Sequence, residues 1–311
     1  MEHTACNLCG SQNTQPLIEG CDRSSGRKET YSVVRCAECG LAYLNPRPDA
    51  QELPSYYQVE YYQGTLRDAH WALEREDARG IRKVGIDLML GRRTPPFVEG
   101  GRLLDVGCSE GSYLVAMRAR GWEVHGVEMD AEAVRFAREH YGLDVRTGQA
   151  EGLLAGFPDN HFDVVTLWHV LEHFSDPVRI LADIGRILKP GGRLMIEVPN
   201  FQGFSRLVFR TYWAPLELPR HLYHFTPRTL AAMLAKTGYQ GVEVRGAPAA
   251  VAATASLQLL RNQWAHDPGS SGLSWNPLLL ALAFPASWLL ARFRRSAFMT
   301  AAAIKPPAGF T

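Results

Sequence analysis

Beyond Gly101 the sequence alternates short apolar segments with amphipathic segments that carry helix caps. The strand-like runs are "RLLDVG", "EVHGVEM", "HFDVVTLWH" and "RLMIEVPN". Asp130 is placed to cap a helix that ends at Gly142, and Asp176 with Pro177 opens a second, "PVRILADIGRILKPGG". The alternation predicts an α/β fold, a doubly wound and mostly parallel sheet with helices on both faces, whose ligands bind at the carboxyl ends of the strands.

The loop after the first of these strands, "LLDVGCSEGSYL", departs from a dinucleotide-binding loop. Asp105 ends the strand, Gly107 makes the turn and Gly111 begins the helix, but Ser109 stands between them. A pyrophosphate needs the spacing G-x-G-x-x-G, because it approaches both the backbone and the helix N-terminus. The loop therefore suits a nucleoside ligand without phosphates, and Glu128 at the end of the second strand is placed to accept hydrogen bonds from both ribose hydroxyls.

Four segments in order, "LLDVGCSEGSYL", "GVEMD", "FDVVTLWHVLEH" and "RILKPGGRLMIEVPN", resemble the class I S-adenosylmethionine-dependent methyltransferases over about the middle half of the chain. The resemblance implies a Rossmann-like fold, S-adenosylmethionine as cofactor and methyl transfer as activity. It implies that Asp105, Gly107 and Gly111 line the methionine end, that Glu128 holds the ribose and that Gln149 borders the adenine. The further cofactor contacts that it implies are Cys108, Met129, Ala150, Trp168 and His169.

Two cysteine pairs precede this region, Cys6 and Cys9 in "CNLCG" and Cys36 and Cys39 in "CAECG". A gap of two residues lets both thiolates of a pair face one tetrahedral ion, and four thiolates leave no position for water. The spacing thus predicts a structural zinc ion, with four unrelated buried thiols as the alternative. The front of the chain, including "CAECGLAYLNPRP", resembles the subset of these methyltransferases that carries an N-terminal zinc ribbon.

Histidines at the end of "HFDVVTLWH" and in the loop after "RLMIEVPN" are the candidates for proton transfer. His221, in "PRHLYHF", is favoured as general base or substrate contact because the ordinary pKa of histidine lies near neutral pH. His224 in the same loop is the second candidate, although one of the pair could equally be hydrogen-bonded in the core while the other holds the loop. His169 is a third candidate, which fits cofactor packing better. Its neighbours Glu172 and His173 fit helix-surface groups or partners of an adjacent loop.

Four tyrosines at positions 56, 57, 61 and 62 recur at helical spacing, which is more typical of core packing than of a functional cage. Their place before the sheet, as in the resembling proteins, predicts a lid over the cofactor that includes Tyr61 and Tyr62.

An apolar insertion separates the last two predicted strands, "QGVEVRG" and "AFMTAAAIKP". Its run "NPLLLALAFPASWLLARFRR" contains Pro285, is too short to span a bilayer and ends in arginines. One hypothesis is a helical hairpin that lies in a membrane interface or grips a lipid-linked substrate. The alternative is a packed helical cap or a dimer contact.

The domain prediction is a zinc ribbon (1–45), a helical lid or linker (46–100), a methyltransferase core (101–249), an apolar helical insertion (250–296) and a final core strand with the tail (297–311). A net charge of +1 provides no overall field for a polyanion, so nucleic acid is disfavoured as a partner. The start of the sequence lacks a leader pattern, and we expect a cytoplasmic protein, with peripheral contact at the inner face of the membrane left open. The oligomeric state is also open.

The function favoured by the sequence is methylation of a small molecule, at an oxygen of a sugar or lipid-linked glycan. An RNA methyltransferase that grips RNA with the ribbon, and a non-catalytic protein that binds S-adenosylmethionine, are the alternatives.

Overall fold

The computed structural model of the chain describes residues 1–23, 29–57, 93–265 and 272–307. Its strands are β1 (Thr14–Cys21), β2 (Thr30–Cys36), β3 (Ala42–Leu44), β4 (Arg102–Val106), β5 (Glu123–Glu128), β6 (Asp144–Thr147), β7 (Phe162–Trp168), β8 (Leu188–Pro199), β9 (Tyr223–His224), β10 (Gln240–Ala247) and β11 (Phe298–Ile304). Its α-helices are α1 (Ser112–Arg118), α2 (Ala131–Tyr141), α3 (Ala150–Leu153), α4 (Pro177–Ile187), α5 (Phe204–Phe209), α6 (Pro227–Lys236), α7 (Ala250–Ala265) and α8 (Pro277–Arg292).

A seven-stranded sheet of order β10-β11-β8-β7-β4-β5-β6 forms the centre of the molecule. The strands from β6 to β8 pair in parallel, while β11 pairs antiparallel with both β8 and β10. The central strands β4 and β7 are buried along nearly their whole length, as expected where helices cover both faces. The predicted α/β class and Rossmann-like sheet are confirmed.

Capping residues set the ends of the helices α2 and α4. The Asp130 carboxylate accepts hydrogen bonds from two backbone N–H groups in the first turn of α2, and Gly142 ends this helix in the left-handed region at φ 59°. Asp176 caps α4, with Pro177 in its first turn. The prediction extended this second helix too far, because α4 ends at Ile187 and the next residues already belong to β8.

A four-stranded sheet of order β1-β2-β3-β9 contains the strands of the cysteine-rich front. Its last member β9 comes from the histidine-containing loop far along the chain, and it pairs with β3 through Tyr43↔Tyr223. A buried ion pair adds to this connection, since Arg220 Nη1 lies 2.9 Å from Asp22 Oδ2. The front of the chain and the later loop are therefore one structural unit.

Helices α7 and α8 form a hairpin between β10 and β11. Because Phe298 at the start of β11 is registered with Pro199 at the end of β8, the hairpin leaves the sheet at the carboxyl end of β8. Gly246 allows α8 to approach β10, since a Cβ atom there would lie 2.2 Å from the carbonyl oxygen of Ala291. Among the described residues, no helix combines the length and apolarity needed to cross a membrane.

Candidate functional site

A cavity of about 540 Å³ opens at the carboxyl ends of β4, β5 and β7. On the sheet side its wall includes Gly107, Glu128 and Trp168, and on the opposite side it includes Arg47 and Tyr57. This volume lies in the usual range for pockets that bind small molecules and cofactors. The cavity occupies the position that the parallel sheet predicts for a ligand.

Glu128 is held in place by backbone donors on the cavity wall. Its Oε2 accepts from the N–H of Ser109 at 2.9 Å, and its Oε1 accepts from the N–H groups of Met129 at 2.7 Å and Asp130 at 2.9 Å. Burial raises the pKa of Glu128 above its usual value, although these donors act in the opposite direction. A carboxylate has about four lone-pair sites, so a fixed Glu128 can still accept hydrogen bonds from a ligand.

The loop after β4 needs its glycines. Gly107 has φ 73°, and a Cβ atom there would lie 2.5 Å from Cγ2 of Val170. Gly111 has φ 85°, and its Cβ would lie 2.3 Å from Cδ1 of Leu143. Ser109 also adopts a positive φ, 50°. A larger residue at 107 or 111 would have a strained backbone and would have to displace the side chain of Val170 or Leu143.

Three residues predicted to bind the cofactor lie behind the described cavity wall. Asp105 is buried, accepts a hydrogen bond from the Thr166 hydroxyl, and has a pKa raised to about 7 by burial. Cys108 is buried as well, and burial raises the pKa of its thiol. Gly111 is the residue before α1. These residues shape the loop from beneath, and direct contact with a cofactor stays a prediction for them.

Other predicted residues meet at the cavity. Besides Gly107 and Glu128, the described wall contains Met129, Gln149, Ala150, Trp168 and His169. The predicted lid residues Tyr61 and Tyr62 lie outside the described residues. The nearby Tyr57, which the sequence analysis placed only in the helical pattern of tyrosines, is on the wall.

His169 lies on the cavity wall in a strained conformation, with φ 61°. Its Nε2 is 3.1 Å from Oε1 of Glu197, its Nδ1 is 3.7 Å from Oε1 of Glu172, and its ring contacts Phe298. Burial lowers the pKa of His169, but the two carboxylates outweigh burial and raise it to about 9. His169 is therefore a cation at neutral pH and a hydrogen-bond donor rather than a base.

The two histidines of the later loop are buried. Nδ1 of His221 donates to the carbonyl of Pro215 at 2.9 Å, and its Nε2 is 3.4 Å from Oε2 of Glu217. His224 packs against the ring of Phe201, and burial lowers its pKa to about 3. Neither side chain is part of the described cavity wall, so the catalytic roles predicted for them remain predictions.

His173 reaches the cavity instead. Its Nδ1 lies 2.9 Å from the Tyr57 hydroxyl and 3.2 Å from the carbonyl of Arg220, and its ring packs 4.6 Å from that of His221. Burial, and then the neighbouring His221, lower the pKa of His173 to about 4, so its imidazole is neutral at neutral pH. One sequence feature indicates that His173 lies near the cavity, namely that it follows His169 in the turn after β7.

The cysteines of the front lie together as the sequence predicts. All four sulfur atoms are within 4.8 Å of one another, with Cys6–Cys39 and Cys9–Cys36 sulfur distances of 3.4 Å. Zn–S bonds of about 2.3 Å in a tetrahedron place sulfur atoms about 3.8 Å apart. The two pairs also have matching turns, in which the N–H of the following glycine donates to the carbonyl of the first cysteine. The arrangement fits a tetrahedral ion.

Comparison with known proteins agrees with this geometry. The family described as "Methyltransferase domain" matches residues 78–244. A ubiquinone biosynthesis O-methyltransferase from Xanthomonas campestris pv. campestris (strain B100) is 30% identical over 217 residues, which are 65% of this chain and 89% of the relative. The protein of the same name from Xanthomonas euvesicatoria pv. vesicatoria (strain 85-10) is 34% identical over 158 residues, 47% of this chain and 66% of the relative.

Solved structures share the fold. Phosphoethanolamine N-methyltransferase 2 of Haemonchus contortus, in complex with S-adenosyl-L-methionine, superposes with a TM-score of 0.55 at 18% identity, covering 94% of this chain and 71% of that one. A SAM-dependent methyltransferase from Archaeoglobus fulgidus gives a TM-score of 0.51 at 21% identity, covering 76% and 99% of the two chains. At these identities the likeness concerns the fold alone.

Proposed function

Since the chain belongs to the S-adenosylmethionine-dependent methyltransferases, we propose that it methylates an oxygen of a small hydroxylated acceptor, a sugar or a lipid-linked glycan. The names of the Xanthomonas relatives, which describe an O-methylation, support oxygen as the acceptor atom. The observation that carries the proposal is a single cavity with the fixed carboxylate of Glu128 and the neutral imidazole of His173 on its walls.

In this proposal the nucleoside of the cofactor lies along the sheet side of the cavity. Glu128 accepts hydrogen bonds from the ribose, and Gln149 borders the adenine. The bound cofactor supplies the electrophilic methyl group, so the protein has to position an acceptor in line, exclude water and provide for the acceptor's proton.

The acceptor hydroxyl binds beside His173. His169, which is charged and directs its ring nitrogens toward Glu197 and Glu172, adds positive charge at the cavity wall, while the neutral His173 is suited to receive a hydrogen bond from the acceptor. Glu172 and His221 lie behind His173 and can share the positive charge that develops when the hydroxyl loses its proton.

Transfer of the labelled methyl group of S-adenosylmethionine to sugars, glycans and lipid-linked glycans tests this function. With an active acceptor, His173→Asn should lower kcat by about 10²-fold, because a positioned acid–base group contributes at least that much. The exposed His140 on α2 provides the matched control, and His140→Asn should keep full activity. Unchanged kcat in His173→Asn, or transfer to nitrogen acceptors only, would contradict the proposal.

We also propose that the four cysteines hold a structural zinc ion. The sulfur distances and the matching turns support this assignment. Because four thiolates would fill the tetrahedral shell, this ion would stabilise the small sheet and take no part in methyl transfer.

A further part of the proposal is that the α7–α8 hairpin rests on a membrane surface and brings the cavity to a lipid-linked acceptor. One face of α8 carries exposed apolar side chains at i, i+4, i+11 and i+15, namely Leu278, Leu282, Leu289 and Phe293, which are 53–68% exposed. Residues 250–296 contain four arginines and one acid, a balance that favours an anionic lipid surface. Exposed tryptophans flank this face, as is common at membrane interfaces.

Co-sedimentation with vesicles of phosphatidylglycerol and phosphatidylcholine tests the membrane contact. We expect binding to the anionic vesicles, weakened at least fivefold by Leu282→Glu, because this change places a charge within the apolar face. Val98→Glu is the control, since Val98 is an exposed apolar residue before β4, at the other end of the sheet. Equal sedimentation of the two variants would refute the membrane contact. So would a wild type that does not bind vesicles and forms a dimer that Leu282→Glu dissociates.

A further inference from the structure

A second group of possible metal ligands lies next to the cavity, apart from the cysteines. Glu172 and His173 belong to the short 3-10 helix Leu171–His173 after β7, and His221 comes from the loop before β9. One ligand atom from each of these three residues lies within 4.8 Å of the others. Separate parts of the chain thus converge on one point.

Among the described residues, no donor forms a hydrogen bond with the carboxylate of Glu172. Its side chain is 0% exposed, and both of its oxygen atoms lack a hydrogen-bond partner in that part of the chain. The ring nitrogens of His169 and His221 approach it to 3.7 Å and 4.0 Å, both beyond hydrogen-bond distance. The charged His169 compensates part of the charge of this buried carboxylate from 3.7 Å, and a cation bound directly to its oxygen atoms would compensate it more fully.

His221 has the hydrogen bond of a metal ligand. A carbonyl oxygen only accepts hydrogen bonds, so the contact of His221 Nδ1 with Pro215 places a proton on that nitrogen and leaves Nε2 as the ligand atom. Nδ1 of His173 lies 2.9 Å from the Tyr57 hydroxyl and 3.2 Å from the Arg220 carbonyl, so the ring of His173 is held in place by both groups. Histidines that bind metals commonly donate their other ring N–H to a carbonyl in this manner.

The surrounding charges leave room for a further positive charge. A second carboxylate, that of Glu217, also approaches Nε2 of His221, at 3.4 Å. Arg220 forms ion pairs with both Glu217 and Asp22, while Arg93 and His169 both interact with Glu197. The four carboxylates Asp22, Glu172, Glu197 and Glu217 therefore outnumber the three cations Arg93, His169 and Arg220.

We propose that Glu172, His173 and His221 bind a divalent transition-metal cation, such as zinc. Two imidazoles and one carboxylate favour such a cation over magnesium or calcium, and three protein ligands leave a coordination position open. Because His173 is on the cavity wall, the open position would take an oxygen of the acceptor; this last assignment rests on the proposed function. A cation there would lower the pKa of a bound hydroxyl and hold its oxygen in place, so that with the metal bound the cation, rather than the ring of His173, would assist the loss of the proton.

The sequence alone did not indicate this site. The pair His221 and His224 lacked a carboxylate at suitable spacing, and the structure separates the two, with His224 packed against Phe201. The carboxylate comes instead from Glu172, almost fifty residues earlier in the chain.

The number of zinc ions bound to the full-length protein tests the proposal. After loading with zinc and removal of the excess, elemental mass spectrometry should find two ions per wild-type chain, one of them held by the cysteines. Glu172→Gln and His173→Asn should each reduce the count to one, while His224→Asn, a change at a buried histidine outside the cluster, should keep two. Circular dichroism establishes that each variant is folded.

One zinc ion in folded wild type, or two in folded Glu172→Gln, would overturn the proposed metal site. In that case a proton shared between Glu172 and a neighbouring histidine would compensate the buried carboxylate. Calorimetry of S-adenosylmethionine binding on the same samples separates this result from failure of the proposed function. Cofactor binding with one zinc ion would refute only the metal site, and two zinc ions without cofactor binding would refute only the function.

Discussion

His169 and His173 show how neighbouring residues of one turn acquire opposite charge states. His169 lies beside Glu172 and Glu197, which raise its pKa to about 9 in spite of burial. His173 is buried without an equally close carboxylate, and its pKa is lowered to about 4. The cavity wall thus contains a cation and a neutral ring at neutral pH, and the proposed function assigns the neutral ring to the acceptor hydroxyl.

The ion pairs of His169 predict a pH dependence of stability. Since the pKa of His169 is raised from its ordinary value of about 6.5, the stabilisation is complete below that pH and is lost as the pH rises through about 9. Denaturant titrations between pH 6 and pH 10 should show wild type losing on the order of 2 kcal/mol more than His169→Gln. Identical pH profiles for the two proteins would contradict the raised pKa.

At the scale of secondary-structure elements, the approach of α8 to β10 depends on Gly246. A Cβ atom at this position would lie 2.2 Å from the Ala291 carbonyl oxygen, a backbone atom that cannot move alone. We therefore expect Gly246→Ala to reduce the free energy of unfolding by about 1–3 kcal/mol. Gly152→Ala, where no atom lies within 4 Å, is the control and should leave the free energy of unfolding unchanged or slightly higher. Equal stability of the two variants would show that α8 packs differently.

Local sequence predicted the strands that carry an apolar run and the helices that carry a capping residue. Continuous apolar runs predicted β4, β5, β7 and β8, and capping residues predicted the beginnings of α2 and α4. Strand β6, with the short and mostly polar sequence "DVRT", carried no such pattern. Strand β9 has two residues and exists because it pairs with β3, a contact between distant segments that no local pattern contains.

Local sequence likewise predicted some residues of the cavity wall and not others. Gly107 and Glu128 were predictable because the spacing of a strand–loop–helix unit places them. Tyr57 and His173 meet only after the front of the chain has packed against the sheet, with the Tyr57 hydroxyl 2.9 Å from Nδ1 of His173. Local sequence therefore places Gly107 and Glu128 at the carboxyl ends of the strands, whereas the contact of Tyr57 with His173 depends on distant parts of the chain.

For the whole molecule, the small sheet connects the cysteine cluster to the histidine loop. The pairing of β3 with β9 and the ion pair between Asp22 and Arg220 join residues far apart in the chain. The proposed zinc ion therefore stabilises both the front of the chain and the loop that contains His221.

Substitution of one of the four clustered cysteines tests this connection. Cys36→Ser should accelerate hydrogen exchange in peptides that contain β9, because strand β3 loses its support, while peptides from β4 should be unaffected. Cys21→Ser is the matched control, since Cys21 lies in the same sheet but outside the cluster. Unchanged exchange in β9 of Cys36→Ser would show that the loop is held independently of the ribbon.

Calorimetric titration with S-adenosylmethionine tests the central claim most directly, comparing wild type with Glu128→Ala and with Glu123→Ala at the opposite, exposed end of β5. We predict binding by wild type and by Glu123→Ala, and at least tenfold weaker binding by Glu128→Ala, because hydrogen bonds to a charged group contribute about 1.5–3 kcal/mol. A folded wild type that does not bind the cofactor, or Glu128→Ala with undiminished affinity, would contradict the assignment of this cavity.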